Sequence, residues 1–305
     1  MLEHVVFTTH LGWQHVQVFS RDNQPGKTAG ITRMKLAQIS RLPDTAPKPP
    51  PLLFVHGAFT DARIWDAHFL PYFARQGYAA HAVSLRGHGF SEGHEQLHRW
   101  RLRDYVADLA RTVADLPAPP VLIGHSMGGM VIQKYLETHP KIPAVALMAS
   151  VPPQGLLTSN LHMAMRYPFL FQQMALFSLF GPTLGSPDMM HRLLFSREMP
   201  TAKLREYIDY MQAESQLVSL DLAGMDPLRL KPQQLQCPML VQGAQQDVFI
   251  SPSIVRQTAR FYGSEAQIFP NMAHAMMLEE NWREAADSLL HWLDQVVATH
   301  LAAAG

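Results

Sequence analysis

The sequence predicts an α/β protein: a mostly parallel central sheet flanked by helices, with an all-helical insertion late in the chain. Three observations predict it. Short, wholly apolar runs recur at Leu52–Val55, Val121–Ile123 and Ala144–Met148, as expected of strands whose two faces are both covered. Helix-period segments separate them, so strand and helix alternate. From about residue 152 to 236 the alternation stops and helical periodicity continues alone, broken by Pro168, Pro182, Pro187 and Pro200. The expected division is a core domain of residues 1–151 and 237–305 and a helical subdomain at 152–236.

The elements follow in order. Residues 4–20 alternate (Val5, Phe7; Val16, Val18) and residues 31–40 do so weakly (Ile31, Met34, Leu36, Ile39), which predicts two or three antiparallel strands at a sheet edge. Pro43–Pro51 is a proline-rich connector that cannot join a ladder. A strand at Leu52–Val55 leads through His56-Gly57-Ala58-Phe59 to a helix at Ala62–Gln76, capped by Thr60 or Asp61 and stopped by Gly77. Tyr78–Leu85 is the next strand, ending in Arg86-Gly87-His88-Gly89-Phe90-Ser91, and a helix is expected near Arg103–Leu116. Val121–Ile123 and Ala144–Met148 are buried strands, the insertion following the sixth or so strand. Beyond it come the strand Pro238–Gly243, a helix near 252–262, the strand Ala266–Phe269 and a helix from about Asn281 to Val297.

Composition excludes several functions. At 305 residues the chain allows one large domain or two ordinary ones, and 47% hydrophobic content is ample for a core. Lys+Arg and Asp+Glu balance at 25 each, so neither nucleic acid nor an anionic membrane is an expected partner. The single cysteine, Cys237, rules out an internal disulfide and fits a reducing compartment. Met1–Val6 lacks a basic region before an apolar stretch, so no signal peptide is expected and the cytoplasm is the expected location. The most apolar run, Pro168–Leu184, is too short and broken for stable membrane insertion. Nothing in the sequence sets an oligomeric state.

The chemistry centres on Ile123-Gly124-His125-Ser126-Met127-Gly128. Three apolar residues run into a glycine-flanked serine, and an apolar-periodic helix follows. That reads as strand, sharp turn and helix, with Ser126 at the apex, its hydroxyl exposed beside a helix N-terminus where an oxyanion could be held. With His56-Gly57 after an early strand, the Arg86–Ser91 run, and Asp247 and His274 following in the order Ser, Asp, His, the chain resembles an α/β-hydrolase with a helical cap. These motifs run from about residue 50 to the C-terminus. Within the cap, Leu194–Pro200 through Tyr207, Met211 and Glu214-Ser215 resembles lysophospholipase-like and monoacylglycerol-lipase-like members.

The resemblance implies a Ser126–His274–Asp247 triad, and the chemistry asks for the same parts. A serine hydroxyl needs a base to take its proton, a histidine suits neutral pH, and a carboxylate must hold the imidazole tautomer. Asp247 lies just beyond the Pro238–Gly243 strand and His274 beyond the Ala266–Phe269 strand, at the strand ends where open α/β sheets place their sites. Glu265, Asp221 and Asp226 compete with Asp247. The expected oxyanion donors are the amides of Met127 and of Ala58 or Phe59; the family's usage selects Ala58. His56 and the Arg86–Ser91 run are expected to hold loops rather than substrate.

One motif points elsewhere. His94-Glu95-Gln96-Leu97-His98 matches H-E-x-x-H, a zinc signature when helical, but it follows Gly87, Gly89 and Gly93 in an expected loop, and no third ligand stands at a recognisable spacing. No metal or other cofactor is expected. The insertion holds eight of the 17 methionines and several phenylalanines, as suits either packing or an adaptable apolar wall. Phe59, His125, Met163, Phe171 and Phe195 are the candidate substrate contacts. The function expected is cofactor-free hydrolysis of a small-molecule carboxylic ester with an apolar acyl group. Thioester, amide or carbon–carbon bond cleavage, perhydrolysis, and slow-turnover ligand binding could use the same residues.

Overall fold

The apolar runs become the middle of a nine-stranded sheet ordered β1-β2-β3-β5-β4-β6-β7-β8-β9. The computed structural model describes residues 3–9, 12–19, 34–180 and 186–304; Ile31 and Pro182 of the sequence reading lie outside these. The strands are β1 (Glu3–Thr9), β2 (Gly12–Phe19), β3 (Leu36–Arg41), β4 (Lys48–Val55), β5 (Tyr78–Val83), β6 (Val121–His125), β7 (Val145–Met148), β8 (Met239–Ala244) and β9 (Ala266–Phe269). The first three form the expected antiparallel edge, β3 joining the remainder by an antiparallel pairing with β5. From β5 across to β9 every pairing is parallel.

The chain leaves β4 for β5 on one side and returns to β6 on the other. The loops after β4 and β6 therefore diverge and open a crevice at the strands' C-terminal ends.

Alternation within the strands explains the burial on both faces. Leu52 and Phe54 of β4 join one core cluster with Trp65, Phe69, Phe73 and Leu289. Leu53 and Val55 join another with Tyr105, Leu109, Val131 and Val255. Helices α1 (Arg63–Asp66) and α2 (Phe69–Arg75) cover the first face, and α3 (Leu102–Asp115) and α4 (Met127–Tyr135) cover the second.

Between β7 and β8 come α5 (Leu157–Arg166), α6 (Pro168–Phe180), α7 (Pro187–Leu194), α8 (Thr201–Ile208) and α9 (Gln216–Leu220), with no strand among the described residues. Met163, Leu170, Phe177, Met189, Met190 and Leu193 give α5–α7 a small core of their own. Helices α10 (Pro252–Phe261) and α11 (Trp282–Ala304) complete the fold, on the second and first faces respectively.

Four expectations are corrected. The strand predicted to start at Leu52 starts at Lys48, because Pro49–Pro51 are extended while pairing skips from Lys48 to Leu52 through a register shift; prolines lack the N–H but not the strand conformation. The helix predicted at Ala62–Gln76 is two, broken at His68 (φ −143°), whose ring stacks on Trp282 at 4.8 Å and bonds the Tyr207 hydroxyl at 3.1 Å. The insertion follows the seventh strand. The N-cap of α1 is Ala62 rather than Thr60 or Asp61, although Asp61 accepts the Arg63 amide at 2.9 Å, and Gly77 does take a positive φ of 93°, as a stop requires. No helix among the described residues is long and apolar enough to cross a membrane.

Candidate active site

Ser126 sits where β6 turns into α4, with φ 51° and ψ −116°, a conformation an L-residue adopts only under constraint. The constraint is visible. Its amide donates to Met148 O at 3.1 Å, and its carbonyl accepts from Gly129 and Val151, both at 3.1 Å. Gly124 and Gly128 are required by close approach: a Cβ on Gly128 would lie 2.4 Å from Val55 O, and one on Gly124 2.7 Å from Gly128 O. The turn can form only where both side chains are absent.

His274, on the loop after β9, points Nε2 at Ser126 Oγ at 3.0 Å. Its Nδ1 faces Asp247 Oδ2 at 2.8 Å. Asp247, on the loop after β8, uses Oδ1 to accept the amides of Phe249 and Ile250 at 2.8 and 2.9 Å, which aims Oδ2 at the ring. With Nδ1–H donating to the carboxylate, Nε2 is left bare to accept from the serine hydroxyl. Both side chains are buried.

The competing acids are elsewhere. Glu265 is exposed just before β9, at the wrong end of the strand. Asp221 binds Arg101 and the Leu102 amide, and Asp226 binds Lys134 at 2.8 Å.

Two groups hold the histidine loop. His125 Nε2–H donates to His274 O at 2.9 Å, so His125 Nδ1 carries no proton, and it has no partner among the described residues. Burial, with the neighbouring His274, pushes the His125 pKa well below the usual histidine range and keeps it neutral. Glu279, buried, accepts the Ala273 amide at 2.9 Å, the Ser196 amide at 2.6 Å and the Ser196 hydroxyl at 2.8 Å. Nothing in sequence marks Glu279, since its partners are brought together only by folding.

Ala58 and Met127 line a cavity together with Ser126. Met127 opens α4, so its N–H has no carbonyl within the helix to bond. The Phe59 amide, the other candidate donor, is engaged by Glu214 Oε2 at 3.4 Å. Ser126, His274, Ala58 and Met127 all line one cavity of about 240 Å³.

Phe59, His125, Met163 and Phe195 line it too, but Phe171 does not: it packs against the α5–α7 cluster instead. Sequence reasoning left out Tyr207 and Tyr210 as wall residues. The Phe195 ring stacked on Tyr207 at 5.9 Å shows how that wall is assembled.

The structural readings of the flanking motifs agree with their contacts. His56 Nδ1–H donates to Gly57 O at 2.8 Å and Nε2 accepts from the Leu85 amide at 3.0 Å. Burial and the neighbouring His88 charge lower its pKa to about 4. Arg86 grips Asp108 through Nε and Nη2 at 2.9 and 2.8 Å. The H-E-x-x-H stretch, expected in a loop, forms a 3₁₀ turn at His94–Arg99, and His94 bonds Gly89 O at 3.0 Å. No group of three or more His, Cys, Asp or Glu side chains among the described residues is placed to hold a metal.

Comparison with known proteins agrees with this architecture. A pyrethroid hydrolase of Sphingobium wenxiniae is 29% identical over 101 residues, 33% of this chain and 35% of that protein. A monoacylglycerol lipase of Mycolicibacterium smegmatis is 30% identical over 118 residues, 37% of this chain and 41% of that protein. The matched stretch spans less than half the length of either relative. A thermophilic esterase of Thermogutta terrifontis superposes with a TM-score of 0.69 at 19% identity, over 92% of this chain and 98% of that one, a likeness of fold. The Alpha/beta hydrolase family model matches residues 52–288, from the β4 strand past His274. That match takes in well over half of the sequence, and the chain belongs to the alpha/beta hydrolase family.

Proposed function

We propose that the chain is a serine hydrolase that cleaves carboxylic esters with an apolar acyl group through an acyl-enzyme. The observation carrying this reading is the Asp247–His274–Ser126 hydrogen-bonded chain opening on a largely apolar cavity. Ser126 Oγ attacks the ester carbonyl carbon while His274 Nε2 takes its proton. Asp247 holds the tautomer and stabilises the imidazolium. The Ala58 and Met127 amides receive the oxyanion. His274 returns the proton to the leaving alcohol, then activates the water that resolves the acyl-enzyme.

These steps use only side chains, amides and water, so the reading calls for no cofactor. Residues 152–236 serve as a cap whose Met163 and Phe195, with Phe59 and His125, contact the substrate. Relatives named as a lipase and a hydrolase support the substrate class. We assign the protein to the cytoplasm, a reducing compartment that suits its one free cysteine.

The test is hydrolysis of p-nitrophenyl esters of graded chain length by wild type and Ser126→Ala, with a chelator control. Wild type is expected to turn over with an optimum set by the cavity, Ser126→Ala to lose roughly 10⁴-fold or more in kcat, and the chelator to do nothing. Inactivity of wild type on every ester sinks the ester reading in favour of thioester, amide or carbon–carbon cleavage, perhydrolysis or ligand binding. Undiminished activity of Ser126→Ala sinks the serine mechanism.

A further inference from the structure

We infer that Glu214, in the segment between α8 and α9, is a positioning residue for the oxyanion-binding loop after β4. The inference rests on the serine-hydrolase reading above and names a residue outside the triad.

Glu214 is buried, and its carboxylate meets four donors from four parts of the chain. Oε1 accepts the Tyr105 hydroxyl of α3 at 2.7 Å and the Ser215 amide at 2.7 Å. Oε2 accepts His88 Nε2 at 3.0 Å and the Phe59 amide at 3.4 Å. A carboxylate has about four lone-pair sites, so this one is filled. His88 Nδ1 lies 3.0 Å from Arg86 O, an acceptor only, so both ring nitrogens donate and the ring is an imidazolium. Burial alone would discharge both groups. Their mutual attraction prevails, raising the His88 pKa and lowering that of Glu214.

The consequence reaches the reacting atoms through one peptide. Phe59 stands at φ 63°, a conformation few non-glycine residues hold unaided. The Glu214 carboxylate takes its amide, Gln212 donates its backbone N–H to Phe59 O at 2.8 Å, and the Gln212 side chain donates to Thr60 O at 2.9 Å. The loop is thus fastened on both sides just past Ala58. With the Phe59 amide occupied by Glu214, the adjoining Ala58, which lines the cavity with Ser126, is left as the oxyanion donor of this reading. The segment that covers the cavity therefore also sets the angle of the oxyanion donor. An oxyanion donor is useful only within a few tenths of an ångström of its position.

The experiment compares wild type, Glu214→Gln, His88→Gln and Ser126→Ala. For each it measures kcat and KM on a p-nitrophenyl ester, inhibition by a trifluoromethyl ketone, and thermal melting. That ketone adds Ser126 to form a hemiketal oxyanion, so it reads the oxyanion donors directly. Folded Glu214→Gln is expected to keep KM within about twofold while kcat falls about 10–100-fold, with inhibitor affinity falling by a similar factor. A purely structural role would lower the melting temperature without that matched loss. Folded Glu214→Gln with unchanged inhibitor affinity overturns the inference.

If Glu214→Gln does not fold, His88→Gln, which removes the partner charge from Oε2, must give the same matched loss. Amide exchange on wild type is a second check: Phe59 N–H is expected to be protected and Ala58 N–H not, and the reverse order overturns the inference. If Ser126→Ala remains as active as wild type, the serine-hydrolase reading fails. If Ser126→Ala is inactive and Glu214→Gln has normal kcat and inhibitor affinity, only the role of Glu214 fails.

Discussion

Ser126 stores about 1–3 kcal/mol of backbone strain, and the surrounding glycines are what make the strain tolerable. Gly128 is the least forgiving of them, since a Cβ there meets two backbone carbonyl oxygens, Val55 O at 2.4 Å and His56 O at 2.5 Å. Backbone atoms in a buried strand cannot step aside as a side-chain tip can. Gly128→Ala is therefore expected to cost roughly 3 kcal/mol or more, read as a markedly lower melting temperature or loss of soluble protein. A Gly128→Ala variant that melts with wild type would contradict the geometry of the turn. The motif around Ser126 was legible because every part of it is adjacent in sequence. Asp247 and His274 were legible through order alone, each standing just past an apolar run.

At the scale of elements, the loop that carries His274 is held by contacts between segments distant in the chain. Glu279 ties the Ala273 amide, next to His274, to Ser196 in the segment between α7 and α8. The backbone bond from Ala275 N to Leu194 O at 2.8 Å repeats the link. Glu279→Ala leaves three buried donors unpaired, each worth about 1–3 kcal/mol. The expected result is a melting temperature lower by several degrees, together with a fall in kcat as the His274 loop loosens. Equal kcat with a lower melting temperature would mean that Glu279 only braces the fold. The role of neither glutamate could be read from sequence: Glu214 entered only as part of the cap resemblance, and Glu279 carries no local signal. Helix α1–α2 is the converse case: the local pattern predicts one helix, and the break at His68 comes from Trp282, more than two hundred residues away.

For the whole molecule, buried histidines govern the response to pH. His56 and His81 are pushed to about 4, by burial first and, for His56, by the His88 charge as well. His125 is also lowered, by burial and His274, and His68 is lowered by burial and Lys203. A histidine depressed in the fold takes up protons in the unfolded chain first, so stability falls as pH drops below about 6.5, the unfolded value. His88 runs the other way. Its raised value makes its contribution fullest below about 6.5 and lost as pH rises through the folded value, while Glu214's lowered value makes its contribution present above about 4.3. His56, Asp61, Tyr105 and Arg86 are the charged or titratable neighbours of that pair. More histidines are depressed than raised, so the melting temperature is expected to fall steadily from about pH 7 to 5. A flat melting profile over that range would show that these histidines are not held neutral.

The sequence by itself determined the class of the fold, the strand–turn–helix at Ser126, the places of Asp247 and His274 just past two strands, and the presence of a strand-free helical stretch before those strands. Those features are local: periodicity, glycine spacing and order along the chain encode them. Tertiary structure decided where β4 begins, that Phe171 stands outside the wall, that Glu214 holds the Phe59 amide, and that two buried glutamates fasten the insertion to the loops after β4 and β9. Those features depend on how groups far apart in the chain satisfy one another's hydrogen bonds once water is excluded. No local pattern records that.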